Sequence, residues 1–180
     1  MDTARGNFRL GYRPDIEGLR AVAILLVVAV HAGVAWLPGG FVGVDVFYVL
    51  SGYLITGLLV QETSTTGHLG FANFYARRLL RLLPALLLML AASCILAKLV
   101  MPPTELPNQA SNAAAAALWL SNFQFAFWNM DYFAPSSDTA LFLHTWSLGV
   151  EEQFYMVWPL LVVLAMGAWK SATHPPRGAD

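Results

Sequence analysis

Arg20 and His31 are two ionisable residues that lie eleven positions apart in an otherwise apolar stretch. In an α-helix, eleven steps of about 100° return to within roughly 20° of the start and advance about 16 Å along the axis. Both side chains therefore lie on one helix face. Ionisable groups within apolar helices usually face a bundle interior or a wet cavity, which makes His31 a candidate general base. The alternatives are a cytoplasmic anchor for Arg20 and a structural hydrogen bond for His31.

Asp45 is the next candidate, because it follows a short Pro-Gly-Gly turn at residues 38–40. In an antiparallel helical hairpin, His31 and Asp45 would both lie about 9–12 Å from this turn. A carboxylate near an imidazole orients the ring and raises its basicity. The spacing therefore predicts a His31–Asp45 dyad. The alternative is that Asp45 caps a helix or pairs elsewhere.

Arg78 and Arg81 are three residues apart and therefore share a helix face beside an apolar run. Two arginines at such a position suit an anionic ligand such as a phosphate or pyrophosphate. The same arrangement is also typical of a basic cluster that binds anionic lipid and fixes topology. The residues alone favour the lipid interpretation.

His144, Glu151 and Glu152 form a third polar group, at the head of another apolar run. The two glutamates diverge by about 100° on a helix, so they cannot share one face, whereas His144 lies close to the face of Glu151. These three residues are predicted to lie on the outer side of the membrane and to contact an acceptor. The alternative is interfacial anchoring by His144, Trp146 and Tyr155.

The composition explains what must position these residues. Hydrophobic residues make up 57% of the 180 and charged residues only 12%, against about 25% in soluble domains. The net charge of −1 gives no basis for nucleic-acid binding, and no metal-ligand spacing of Cys or His is present. The lone cysteine, Cys94, is expected to be a small buried residue.

The fold class predicted is all-α, a polytopic transmembrane helical bundle. Four firm spans are expected, with 110–128 as a re-entrant or fifth spanning segment. Basic residues before the first span and between the second and third place the N-terminus in the cytoplasm. The firm spans are 19–37, 41–60, 82–101 and 146–168; the domain organisation is a cytoplasmic segment at 1–17, a partial membrane domain at 18–168 and a polar tail at 169–180.

Several ordered motifs carry a family resemblance. Asp15-Ile16-Glu17-Gly18-Leu19-Arg20 with His31, the run from Gly40 to Thr56, the run from Phe74 to Ala85 and the run from His144 to Pro159 resemble the membrane acyltransferase family 3. Members include O-acetyltransferases of lipopolysaccharide, peptidoglycan and exported polysaccharides. The resemblance extends over residues 12–165. The pattern is most similar to members that carry an extracytoplasmic hydrolase-like domain.

The resemblance implies an acyl-CoA-dependent O-acyltransferase of the inner membrane, with acetyl-CoA as the default donor and a sugar-containing acceptor. Arg20 and His31 would be the essential arginine–histidine pair. Arg78 and Arg81 would bind the donor at the cytoplasmic face, and His31 would deprotonate the acceptor or form an acyl-histidine. Family members continue with about as many helices again, so the chain is expected to be the front part of such a domain. The alternatives are a transporter or flippase-like subunit and an inactive truncated paralogue.

Overall fold

The computed structural model describes residues 11, 13–127 and 140–173, and the side chains of these residues up to 167. All regular elements in this part of the chain are helical, as the sequence predicts, and no strand is formed within it. The helices are α1 (Pro14–His31), α2 (Val42–Thr66), α3 (Phe71–Val100), α4 (Leu106–Ala117), α5 (Ser121–Phe127), a single 3-10 turn (Leu143–Thr145) and α6 (Trp146–Thr173).

The described chain divides into two compact units. The first, here called the hairpin unit, contains α1, α2 and the part of α6 that begins at Trp158. The second, here called the central unit, covers residues 70–157 and contains α3, α4, α5, the 3-10 turn and the first part of α6.

Three helical segments are long and apolar enough to cross a membrane: Val42–Thr66, Phe71–Val100 and Leu143–Gly167. The predicted count of four firm spans is therefore not confirmed. Helix α1 has 18 residues. Three of them, Asp15, Glu17 and Arg20, are charged, and this charge separates α1 from the three apolar helices.

The ambiguous segment 110–128 does not form one long helix. Its described part lies in α4 and α5, which are about 18 Å and about 10 Å long, against a hydrocarbon thickness of about 30 Å. The break between them is at Trp119, which has a positive φ of 56°. Neither helix crosses a bilayer, so a fifth helical span over these residues is not formed.

Two predicted loop boundaries also shift. Helix α2 continues to Thr66 and ends where Gly67, with φ 79°, donates its backbone N–H to the Thr63 carbonyl. Helix α3 already begins at Phe71, not at 82. The basic motif, which consists of Arg77, Arg78 and Arg81, therefore lies inside α3, and Pro84 lies in the helix interior.

Helices α1 and α2 form the antiparallel hairpin that the Pro-Gly-Gly turn predicts. A Cβ added at Gly43 would collide with the backbone oxygen of Ala23, and one at Gly40 would come within 2.5 Å of the Leu26 oxygen. Small residues allow two helix backbones to approach each other this closely. Between membrane helices, such packing drives association more than hydrophobicity does. These glycines therefore fix the register of the hairpin.

The core of the central unit joins the C-terminal half of α3 to α4. Leu86 and Leu90 of α3 pack with Ala113 and Ala116 of α4, together with Phe142, which is completely buried. Cys94, predicted to be buried, is only partly buried and packs against this cluster.

Candidate functional site

His31 is the last residue of α1 and its side chain is exposed. Its ring atom Nδ1 lies 2.8 Å from the Val27 carbonyl oxygen, one turn back on the same helix. Because a carbonyl oxygen only accepts hydrogen bonds, Nδ1 carries the proton in this contact. In a neutral ring, Nε2 is then the nitrogen that can take up a proton, which is what a general base requires.

Arg20 lies three turns before His31 and is half-buried. Its guanidinium carbon is 5.6 Å from the centre of the Phe47 ring on α2, within the range of a cation–π contact. The contact holds the positive charge of Arg20 against α2, on the face of α1 that also carries His31.

Asp45 does not share the face of α2 that packs on α1. Gly43 makes that contact, and Asp45 follows it by two residues, which is about 200° around the helix. Its side chain is exposed. The equal distance of His31 and Asp45 from the turn does not show how α2 is rotated about its axis. The packing counts against the His31–Asp45 dyad, which stays a prediction.

An ion pair lies at the start of α1. Nη2 of Arg13 lies 2.6 Å from a carboxylate oxygen of Asp15, and Nη1 reaches the Tyr53 hydroxyl of α2 at 3.5 Å. The hydrogen bond from Arg13 lowers the pKa of Asp15 to about 2 and, with the charge of Asp15, raises the pKa of Arg13. The pair is therefore present at neutral pH and is lost only as the pH falls towards that value.

Thr56 is a polar contact that sequence reasoning missed. The indole N–H of Trp158 donates to its hydroxyl oxygen at 2.8 Å, and the hydroxyl donates in turn to the Gly52 carbonyl at 2.6 Å. The bond ties α6 to α2 within the hairpin unit.

Arg78 is the centre of a second group of ionisable residues, in the central unit. Its Nη2 donates to Glu152 Oε1 at 2.9 Å, and the two side chains are only 20% and 7% exposed. The guanidinium carbon lies 3.4 Å from the centre of the Tyr155 ring. The Tyr155 hydroxyl donates to Glu151 Oε1 at 2.6 Å, so the adjacent glutamates serve different partners.

This ion pair corrects one prediction. Arg78 was placed at the cytoplasmic face and Glu152 at the outer face, yet the two lie at the same level, and Tyr75 donates to the Met156 carbonyl at 2.9 Å in the same register. Helix α6 begins six residues before Glu152. Its start therefore lies about 20 Å from the first residue of α3, well before the far end of that helix. A sequence pattern does not show where along α3 a residue of α6 will lie, so this contact could not be predicted.

The other members of the two predicted groups are placed more simply. Arg81 is exposed and, within the described ranges, has neither a hydrogen bond nor an ion pair. His144 is exposed in the 3-10 turn before α6, and its carbonyl accepts a bond from the Ser147 hydroxyl at 3.2 Å. Glu151 and Glu152 join the Arg78 group.

A polar network joins the start of α6 to α5 and to the break at Trp119. Gln153 and Asn122 exchange two hydrogen bonds of 2.9 and 3.0 Å, and Gln153 also donates to the Trp119 carbonyl at 2.8 Å. Ser121 donates to the Thr145 carbonyl at 2.9 Å, and Gln124 to Asn112 at 2.8 Å. Backbone polar groups at a break between helices need partners, and these side chains supply them for the carbonyls of Trp119 and Thr145.

The family comparison agrees with the order of these motifs. The family described as "Acyltransferase domain" matches residues 13–174. This chain belongs to that family. The match includes both groups of ionisable residues.

Similar curated proteins are bacterial O-acetyltransferases. The peptidoglycan O-acetyltransferase OatA of Listeria monocytogenes is 39% identical over 153 residues, which is 85% of this chain and 24% of the relative. The O-acetyltransferase OatA of Staphylococcus aureus is 38% identical over 159 residues, 88% of this chain and 26% of the relative. The chain thus spans about a quarter of the length of these relatives. No solved structure matches.

The described residues contain no group of three or more His, Cys, Asp or Glu side chains that could hold a metal ion.

Proposed function

We propose that the protein transfers an acyl group, acetyl in the first instance, from acyl-CoA to a hydroxyl of a sugar in an envelope glycan. Membership of the acyltransferase family and the names of the peptidoglycan O-acetyltransferases support the reaction type and the acceptor class. The observation that carries the mechanism is the anchored ring of His31, whose Nδ1 contact with Val27 leaves Nε2 as the basic nitrogen.

In this mechanism, Nε2 of His31 takes the proton from the sugar hydroxyl as its oxygen attacks the thioester carbonyl. The new ester bond forms, the bond to sulfur breaks, and the CoA thiolate leaves and takes up the proton. Arg20, on the same helix face, supplies a positive charge that stabilises the anionic donor or the developing oxyanion. An acyl-histidine relay, in which Nε2 itself attacks first, uses the same atom.

The basic motif of α3 is the proposed donor site. The phosphates of acyl-CoA are anionic at neutral pH, and arginines bind them with short, charge-assisted hydrogen bonds.

The proposed location is the inner membrane, with the N-terminus in the cytoplasm and α1 as a fourth crossing beside the three apolar helices. Basic residues before α1 and inside the start of α3 support this orientation. Membrane lipid, further C-terminal helices and an extracytoplasmic hydrolase-like domain are the proposed partners.

The test is binding of acetyl-CoA to the purified protein in detergent. We expect saturable binding that Arg81→Ala weakens and that Lys98→Ala does not, because Lys98 is an exposed cation near the other end of the same helix. Binding that is equal in both variants would assign the donor to another surface. A folded sample without binding would favour a transporter or flippase-like subunit over an acyl-CoA-dependent enzyme.

A further inference from the structure

The surroundings of Arg78 differ from those expected of a phosphate clamp. Glu152 is nearly buried and already neutralises the guanidinium at 2.9 Å. Tyr155 covers one face of the same group at 3.4 Å. The Nε atom is also buried and has no hydrogen-bond partner among the described residues. A phosphate that bound Arg78 would have to displace Glu152 into an environment with little water, which is costly.

Arg81 has the opposite character. It lies one turn further along α3 on a neighbouring part of the same face, about 60° away. Its side chain is exposed, and no carboxylate in the described part of the chain neutralises it. An unpaired guanidinium offers its full charge and all five donors to an anionic ligand.

We infer that two arginines of the basic motif have different tasks: Arg81 contacts the anionic groups of the donor, whereas Arg78 is a positioning residue held by Glu152 and Tyr155. The inference deepens the proposed function and rests on its donor. The pair joins α3 to α6 and so fixes the helix that presents Arg81. Glu151 supports the arrangement through the Tyr155 hydroxyl.

The experiment measures two quantities for each variant in detergent, the melting temperature and the dissociation constant for acetyl-CoA. Arg81→Ala is expected to raise the dissociation constant roughly 10–100-fold without lowering the melting temperature, because it removes a charge-assisted contact with the ligand. Glu152→Gln is expected to lower the melting temperature by roughly 6–20 °C, because it leaves a nearly buried guanidinium unpaired.

A charge exchange separates positioning from direct contact. The double variant Arg78→Glu with Glu152→Arg restores an ion pair between α3 and α6 but moves the guanidinium to the other helix. We expect it to regain most of the melting temperature lost by the single variants, together with binding of acetyl-CoA. A folded exchange variant that fails to bind acetyl-CoA would show that Arg78 itself contacts the donor. Arg78→Lys gives a second, gentler measurement: if the inference holds, the affinity for acetyl-CoA changes less than in Arg81→Ala.

Failure of the inference can be told apart from failure of the proposed function. If the unaltered protein does not bind acetyl-CoA, the proposed donor and the task of Arg81 are both overturned. The melting temperatures still decide the task of Arg78, because they need no ligand. Equal melting temperatures for Glu152→Gln and the unaltered protein would overturn that task.

Discussion

The hairpin unit and the central unit use their polar residues in opposite ways. In the hairpin unit, two glycines bring the backbones of α1 and α2 into direct contact, and the side chain of His31 remains exposed. In the central unit, Arg78 and Glu152 are turned inwards and pair with each other. Close apolar contacts hold the helices of the hairpin unit together without using the His31 side chain. In the central unit, the charges of Arg78 and Glu152 hold two helices together.

The largest effect should come from removing the basic nitrogen of the hairpin unit. His31→Ala is expected to lower the rate of acetyl transfer by roughly 10²–10⁴-fold, because no other group at that position can take the proton. The measurement is release of CoA from acetyl-CoA in the presence of peptidoglycan fragments.

His68→Ala is the matched control, since His68 is an exposed histidine in the turn after α2. It should leave the rate unchanged. Equal losses in the two variants would remove His31 from the mechanism.

The glycine seam should respond to a single methyl group. Gly43→Ala places a Cβ on the Ala23 carbonyl, and overpacking of this kind costs about 1–3 kcal/mol. Gly52→Ala is the control on the same helix, because a Cβ there meets no atom within 4 Å. We expect Gly43→Ala to lower the melting temperature in detergent and Gly52→Ala to preserve or raise it. The reverse order would contradict the close approach of α1 and α2.

The central unit should respond to the loss of a donor. Gln153→Glu keeps the shape of the side chain but removes both N–H groups that serve Trp119 and Asn122. Leaving such acceptors unpaired costs about 1–3 kcal/mol, which thermal unfolding in detergent detects. An unchanged melting temperature would show that the network does not fix the start of α6.

The smallest effect is expected at Asp45. Because its side chain points away from α1, Asp45→Asn should change the transfer rate by no more than about twofold, which corresponds to roughly 0.5 kcal/mol. The pH–rate profile should also keep its shape. A shifted profile would restore the dyad with His31 and make the hairpin unit a paired charge site like the central unit.

Sequence patterns predicted much of the hairpin unit because its determinants are local. The Pro-Gly-Gly turn predicts an antiparallel pair of helices, and the eleven-residue spacing of Arg20 and His31 predicts that they share a helix face. The rotation that turns Asp45 away could not be predicted, because it depends on which glycine meets α1.

The central unit was harder to predict because its determinants are distant in sequence. The polar residues between 111 and 124 were visible but had no assigned partners. Their bonds to α6 set where that helix begins, and this depth brings Glu152 to Arg78. Counting apolar runs cannot provide this information, since it describes each helix separately.

The close contact between α1 and α2 also bears on how the chain enters the bilayer during synthesis. The three charged residues of α1 all lie in its first seven positions, so the start of this helix resists entry into lipid. Helix α2 is apolar, and its Gly43 lies directly against the backbone of α1. We therefore expect α1 to enter the bilayer together with α2, as a preformed pair.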